Sequence, residues 1–269
     1  MSVAACPACG GADSTVARQA ESGHSRTVLG DVWRCRACGF LRRAQPVKEL
    51  AGRSTIGRRI YPDFEALEVR VAVAREALWK PVFPKLEPYR QTNRMLDIGS
   101  ARGHFVAAAG RAGWEAEGVE PSPEDSAYAR EKLGVRVKTG VFAAEEFPAG
   151  AFDVITLWNV LDHFLDPREG LIGMHGLLRP GGVLALRLPN GSVHLAMHRC
   201  FRMLGKKDLS VFPNCAFTRK SLALMLAGAG FSRCVIGNAP PTQGDPYALF
   251  KRMGSGAVNG LKRAVFTAS

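Results

Sequence analysis

The chain has no long apolar run. None approaches the roughly 20 residues that cross a bilayer as a helix, which argues against a membrane span although 46% of its 269 residues are hydrophobic. The opening MSVAACPACG lacks a basic stretch followed by an apolar one, so no secretory leader is expected and the protein is read as cytoplasmic. Internal repeats and low-complexity segments are missing too, which leaves an ordinary folded domain with room for a small appendage. Acidic residues are scarce at both ends: residues 1–60 carry 10 Lys/Arg against 4 Asp/Glu, residues 61–190 carry 15 against 18, and residues 191–269 carry 11 against 2. Basic ends around a slightly acidic middle suit anionic partners such as nucleic acid, a phosphorylated metabolite, an acidic carrier or an anionic lipid surface; solvated surface charge is the plain alternative.

Seven cysteines in a long chain without a leader do not read as a disulfide framework. Four of them form two matching turns, Cys6-Pro-Ala-Cys9-Gly10 and Cys35-Arg-Ala-Cys38-Gly39. Paired Cys-X-X-Cys turns supply the four soft ligands that tetrahedral zinc needs, and the glycine after each allows a positive φ. Cys6, Cys9, Cys35 and Cys38 are therefore the expected metal ligands. With no open coordination position, the zinc is expected to be structural. Aromatic residues in this region are few, chiefly Trp33 and Phe40, so no platform for stacking bases is evident. Cys200, Cys215 and Cys234 read as small buried hydrophobes.

Residues 1–50 are thus expected to form a zinc-ribbon-like module, and 51–92 a linker with an amphipathic helix from Phe64 to about Trp79, ended by Pro81, Pro84 and Pro88. From Arg94 onward short apolar runs alternate with helical segments, the pattern of parallel βαβ units. Strands are expected at 94–98, 115–119, 135–138, 152–157 and 182–188. Helices are expected at 103–112, 123–132, about 168–178, 192–204 and 219–229, the last capped by Thr218 and stopped by Gly230. Two late strands, Phe231–Ile236 and Tyr247–Lys251, would complete a Rossmann-like, doubly wound, mostly parallel seven-stranded α/β sheet over 93–252. The tail at 253–269 reads as loosely ordered.

Within that domain, Met95-Leu96-Asp97-Ile98-Gly99-Ser100-Ala101-Arg102-Gly103 joins an apolar strand, a carboxylate and a small-residue turn that opens a helix. Glu120 follows at the end of the next strand, where a carboxylate can take both hydroxyls of a ribose. Singly, Asp97 also suits a turn cap, Glu120 a solvated loop acid and Phe142 a core position; together they read as a cofactor site. The turn lacks a full G-x-G-x-x-G, and Asp97 would sit poorly beside a pyrophosphate, which favours a cofactor with a cationic amino-acid end over NAD.

The order DIGSARG, GVEPS, FDVITLWNVLDHFLDP and LLRPGGVLALRLPN, over roughly 90–250, resembles class I S-adenosylmethionine-dependent methyltransferases, above all bacterial small-molecule and glycan-cluster members with an N-terminal four-cysteine zinc module. The resemblance implies S-adenosyl-L-methionine as cofactor, with Gly99, Ser100, Ala101 and Gly103 under its methionine end, Asp97 orienting it, and Glu120 on the ribose. It places the adenine near Gly140, Val141 and Phe142, although Thr139-Gly140-Val141 departs from the acidic residue many relatives carry there.

The acceptor site falls at the end of the fourth strand. Trp158 and Asn159 are read as lining the methionine or acceptor pocket. His163 is either the general base or a wall of the pocket. Asn190 is a further acceptor contact. His194 and His198 are read as lid or acceptor wall, on a stretch whose Arg199, Arg202, Lys206 and Lys207 beside apolar residues also resemble a basic amphipathic surface. The expected reaction is methyl transfer to a small, anionic acceptor such as a sugar or nucleotide-sugar. The alternatives are an RNA methyltransferase that uses the basic zinc module as a clamp, and a binding protein that has kept the fold. The sequence leaves the oligomeric state open.

Overall fold

In the computed structural model, residues 5–18, 31–46, 75–76, 78–193, 195–196, 203, 213–239 and the backbone of 262–268 are described. The expected helix over 64–79 is helical where described, at 75–76 and 78–79. The rest of it, most of the expected helix at 192–204 with His194 and His198, Cys200, and the expected strand Tyr247–Lys251 lie outside the described residues.

The first cysteine turn leads into β1 (Ser14–Arg18), and the second joins β2 (Val32–Cys35) to β3 (Leu41–Arg43). After a short helix α1 (Phe83–Leu86) the chain runs through β4 (Arg94–Ile98), α2 (His104–Arg111), β5 (Glu115–Glu120), α3 (Pro123–Leu133), β6 (Arg136–Thr139), β7 (Phe152–Trp158), α4 (Pro167–Leu177) and β8 (Leu178–Pro189). Five parallel strands stand in the order β6, β5, β4, β7, β8. The central β4 and β7 are buried almost throughout, as near-continuous apolar strands between two helical layers must be. The helices start where local chemistry starts them. The Ser122 side chain caps α3 by accepting from the Asp125 N–H, and Asp166 caps α4 by accepting from Arg168 and Glu169. A proline opens each of the two helices.

On one face of the sheet Leu96, Ile98, Ile155, Leu157, Leu184 and Leu186 pack with Leu171 and Met174 of α4 and with α5 (Arg219–Gly228). On the other, Met95, Val154, Val183 and Ala185 meet Phe105, Ala108 and Ala109 of α2 together with Trp79 and Leu86. The amino ends of the strands are tied by a buried ion pair. Arg179 donates through Nε to Asp153 and through Nη2 to the Tyr89 carbonyl, while Asp153 Oδ2 accepts from the N–H groups of Gln91, Thr92 and Asn93 at 2.9, 2.8 and 2.7 Å. Burial alone would raise the Asp153 carboxyl, but Arg179 and the three amides outweigh it and hold it below the usual range. Its stabilisation is therefore present above the ordinary carboxylate pKa and is lost only as pH falls through the lower, folded value. Asp153→Ala strands a buried guanidinium and three N–H groups, so urea denaturation is expected to show a loss of about 3–5 kcal/mol. A loss below about 1 kcal/mol would mean that the pair contributes no more than a surface contact.

Among the described residues three further strands follow β8. Between α4 and α5 the chain forms the two-residue β9 (Cys215–Ala216), which pairs antiparallel with β3 and so adds a fourth strand to the β1–β2–β3 sheet. Past α5, β10 (Arg233–Ala239) pairs with β11 (Lys262–Ala268), whose other edge runs antiparallel along β8. The tail was expected to be loosely ordered. Its backbone at 262–268 is instead a strand, in keeping with the β-favouring Val265-Phe266-Thr267 and a free β8 edge to pair with.

Candidate functional site

The carboxyl ends of β4, β5 and β7 converge on one crevice, the place where open α/β sheets bind ligands. β4 ends in a turn with three left-handed residues, Gly99 (φ +70°), Ala101 (φ +48°) and Gly103 (φ +74°). A Cβ on Gly99 would lie 2.5 Å from Val160 Cγ2, and one on Gly103 would lie 2.7 Å from Ala129 Cβ, so both glycines are required by close approach as well as by φ. Glu120, at the end of β5, is almost fully buried. Its Oε2 accepts from the Ala101 N–H at 2.8 Å and its Oε1 from the Ser122 N–H at 2.9 Å, which fixes the carboxylate against the turn. Burial raises its pKa, and these two amides offset the rise only in part.

Asp97 lies deeper, under the same turn. Its register partner on β7 is Thr156, whose hydroxyl donates to Asp97 Oδ1 at 2.6 Å. Burial pushes Asp97 up to about 8, against the lowering effect of Thr156. Thr156 escaped the sequence reading, although a hydroxyl inside the apolar run FDVITLW was a signal for it.

At the end of β7, Trp158 packs against Phe105 at 5.1 Å and Trp79 at 6.3 Å. Asn159 follows with φ +61°, its N–H donating to the Arg187 carbonyl at 2.8 Å. The indole Nε1 of Trp158, Oδ1 of Asn159 and Oγ of Ser100 are all buried without a hydrogen-bond partner among the described residues. His163 ends a 3-10 turn, Leu161–His163, with its side chain half exposed. Asp162 is buried, and its Oδ2 lies 4.0 Å from His163 Nε2, too far for a hydrogen bond. Of the residues read as adenine contacts, Val141 is exposed and Phe142 packs between Phe147 and Phe164. Asn190 accepts from the Ser192 N–H and bridges to Phe217.

Thirty residues and more from that crevice in sequence, the four cysteines come together. The sulfurs of Cys6, Cys9, Cys35 and Cys38 all lie within 4.8 Å of one another, with Cys6 and Cys38 at 3.6 Å and Cys9 and Cys35 at 3.6 Å. Sulfurs about 2.3 Å from a tetrahedral zinc stand about 3.8 Å apart, so the donor set fits the ion in kind, number and spacing. Gly10 and Gly39 have φ of +72° and +76°, and each donates its N–H to the carbonyl of the first cysteine of its turn. Burial raises the Cys6 and Cys38 thiols. Cys35, which burial also disfavours, is brought down to about 7, chiefly by the backbone at Cys38 and the thiol of Cys9. Of the remaining cysteines described, Cys215 is buried as expected, whereas Cys234 is exposed on β10.

Residues 72–233 match the family described as methyltransferase domain. A ubiquinone biosynthesis O-methyltransferase of Aromatoleum aromaticum is 35% identical over 95 residues, covering 33% of this chain and 41% of the relative. A tRNA U34 carboxymethyltransferase of Syntrophotalea carbinolica is 32% identical over 168 residues, covering 58% and 50%. The chain thus spans about half the length, or less, of these curated relatives. Among solved structures, an S-adenosylmethionine-dependent methyltransferase of Mesorhizobium loti superposes with a TM-score of 0.52 at 15% identity, over 69% of this chain and 96% of that one. One from Archaeoglobus fulgidus gives 0.51 at 16% identity, over 74% and 94%. At such identities these two speak for the fold alone.

Proposed function

The chain belongs to the methyltransferase domain family; from that premise we propose that it is an S-adenosylmethionine-dependent methyltransferase, that it methylates a small, anionic acceptor and that it carries one structural zinc. The observation behind this reading is the crevice itself, where Asp97, Glu120 and the turn Gly99–Gly103 stand within reach of one bound ligand. Asp97 meets the methionine ammonium across the Gly99, Ser100, Ala101 and Gly103 backbone. Glu120 takes the ribose hydroxyls with the lone pairs its two amides leave over. Val141 and Phe142 flank the adenine side, and Trp158 and Asn159 close the methionine end. When bound, the cofactor supplies an electrophilic methyl on a sulfonium. The chain's own work is to hold the acceptor in line with that methyl and to take its proton, which we assign to His163.

Zinc at Cys6, Cys9, Cys35 and Cys38 completes a ribbon-like module, and β10 and β11 complete a seven-stranded sheet. The buried setting of Cys6, Cys35 and Cys38 supports a brace more than an exposed clamp. Among the described residues no helix is long and apolar enough to cross a membrane.

An RNA acceptor is the second reading, favoured by the basic ends and by the tRNA-modifying relative. A tritiated-methyl assay on a fractionated extract separates the two. Label is expected in the low-molecular-weight fraction, with RNA bound weakly and released by salt. Label confined to RNA, with affinity falling about 10³-fold or more between 50 and 200 mM salt for about six phosphate contacts, would install the second reading instead.

A further inference from the structure

β9 joins parts of the molecule that are far apart in sequence. On one side Ala216 and Cys215 pair with Leu41 and Arg42 of β3, the strand that leaves the second cysteine turn. The Asn214 carbonyl extends that ladder by accepting from the Arg43 N–H at 2.9 Å. On the other side the Asn214 Nδ2 donates to the His163 carbonyl at 2.9 Å, and the Cys215 thiol lies 3.5 Å from the Asp162 carbonyl and 3.7 Å from that of Leu161. The three carbonyls of the 3-10 turn thus face Asn214 and the Cys215 thiol, whose single hydrogen serves one of its two carbonyls at a time. Asn214 and Cys215 are each only 3% exposed, so water competes poorly for these bonds.

The same cysteine turn holds the chain just past β9. Thr218 Oγ1 donates to the Cys38 carbonyl at 2.8 Å, Lys220 Nζ to the Ala37 carbonyl at 2.7 Å, and Phe40 meets Phe217 edge to face at 5.3 Å. The cysteine cluster thus holds β9 from both ends. The cofactor side of the crevice is built otherwise: Asp97 is held by Thr156, and Glu120 by Ala101 and Ser122, with no bond from β9 to either among the described residues.

We propose that β9 transmits the state of the cysteine cluster to the turn that carries Asp162 and His163, with Asn214 as the positioning residue. The inference rests on the zinc and acceptor-side readings above. Metal in the cluster holds the β2–β3 hairpin, the hairpin holds β9, and β9 holds the turn. Loss of the metal loosens the acceptor side of the crevice while the cofactor side keeps its shape.

Hydrogen exchange read by mass spectrometry on the full chain tests this, with zinc first measured by elemental analysis and then stripped by a chelator. The reporters are the His163 and Phe164 amides, bonded within the turn to Val160 and Leu161. Stripping is expected to speed exchange in peptides over 160–165 by about tenfold, with β4 and β7 unchanged. Asn214→Ala is expected to do the same with zinc still bound, and to answer little to the chelator afterwards. S-adenosylhomocysteine affinity should stay within about threefold of the parent chain in both cases, which a general loss of structure would not allow. Unchanged exchange over 160–165 while the cysteine turns lose protection overturns the coupling. So does equal deprotection of β4 and β7. If Asn214→Ala does not fold, stripping the native chain still decides. A purified chain without zinc fails earlier, at the elemental analysis, and takes down the metal reading itself.

Discussion

On the reading that the cysteine cluster holds zinc, Cys35→Ser is expected to empty it and to melt the N-terminal module at a temperature well below that of the main sheet. The size of the effect follows from what the module lacks without metal. Its sheet consists of short strands, the longest being β1 (Ser14–Arg18), and sheets so small are marginal alone in water. Structural zinc supplies about 10–16 kcal/mol of apparent binding energy to modules of this kind, so losing one thiolate removes most of what folds it. The loss also uncovers one face of α5 and Phe217, because Cys6, Cys35, Cys38 and Phe40 belong to the same buried cluster as Leu222, Met225 and Phe217, while β4 and β7 stay packed between their own helical layers. Uncovering that face exposes apolar surface worth roughly 1.5–3 kcal/mol per large side chain and invites aggregation. Elemental analysis with thermal unfolding followed by circular dichroism checks both halves. A variant that melts with the parent chain and keeps a folded module without metal would show that the cluster is held by packing alone.

Much of the central domain was legible because parallel sheets write themselves plainly. The runs RMLDI and FDVITLW lie within a residue of the strands they form, and Thr218 caps the helix it was read as opening. The two cysteine turns were legible for a different reason. Ligand type and spacing constrain each other, and the sulfurs do converge. β9 could not be read. Two residues after Pro213-Asn214 show no period, and their partners lie more than 170 positions earlier in the chain. β11 was missed because its segment follows a glycine-rich stretch that suggested a loose tail, and only the open edge of β8 gives it a partner. Within the crevice, carboxylates and glycines announced themselves. Thr156, Val160 and Asn214 act through neighbours brought near by the fold, so their roles are tertiary facts.

On the reading that Asp97 meets the methionine ammonium, cofactor affinity should depend steeply on pH. The sign follows from the direction of the shift. Burial raises Asp97 to about 8 in the empty folded chain, whereas an exposed carboxyl stands near 3.8. Between those values the folded chain holds a proton that the unfolded chain has released, so this group's contribution to stability falls as pH rises through the window. An ammonium beside the carboxylate reverses the preference, because the cation stabilises the ionised form. Binding must then expel the proton wherever the empty site holds it. Affinity for S-adenosylhomocysteine is expected to rise about tenfold per pH unit from 6 to 8, about 10²-fold in all, and to level off above that. Calorimetry at pH 7 in buffers of different ionisation enthalpy should register close to one proton released per ligand bound. Asp97→Asn keeps an oxygen for the Thr156 hydroxyl and so preserves the local structure. It should flatten the slope and cost about 10- to 100-fold in affinity at pH 8, the value of a charged hydrogen bond. A slope that survives this substitution would belong to Glu120, the other buried carboxyl at the crevice. Affinity that is flat from pH 6 to 8 in the parent chain, with no proton released, would place the ammonium elsewhere.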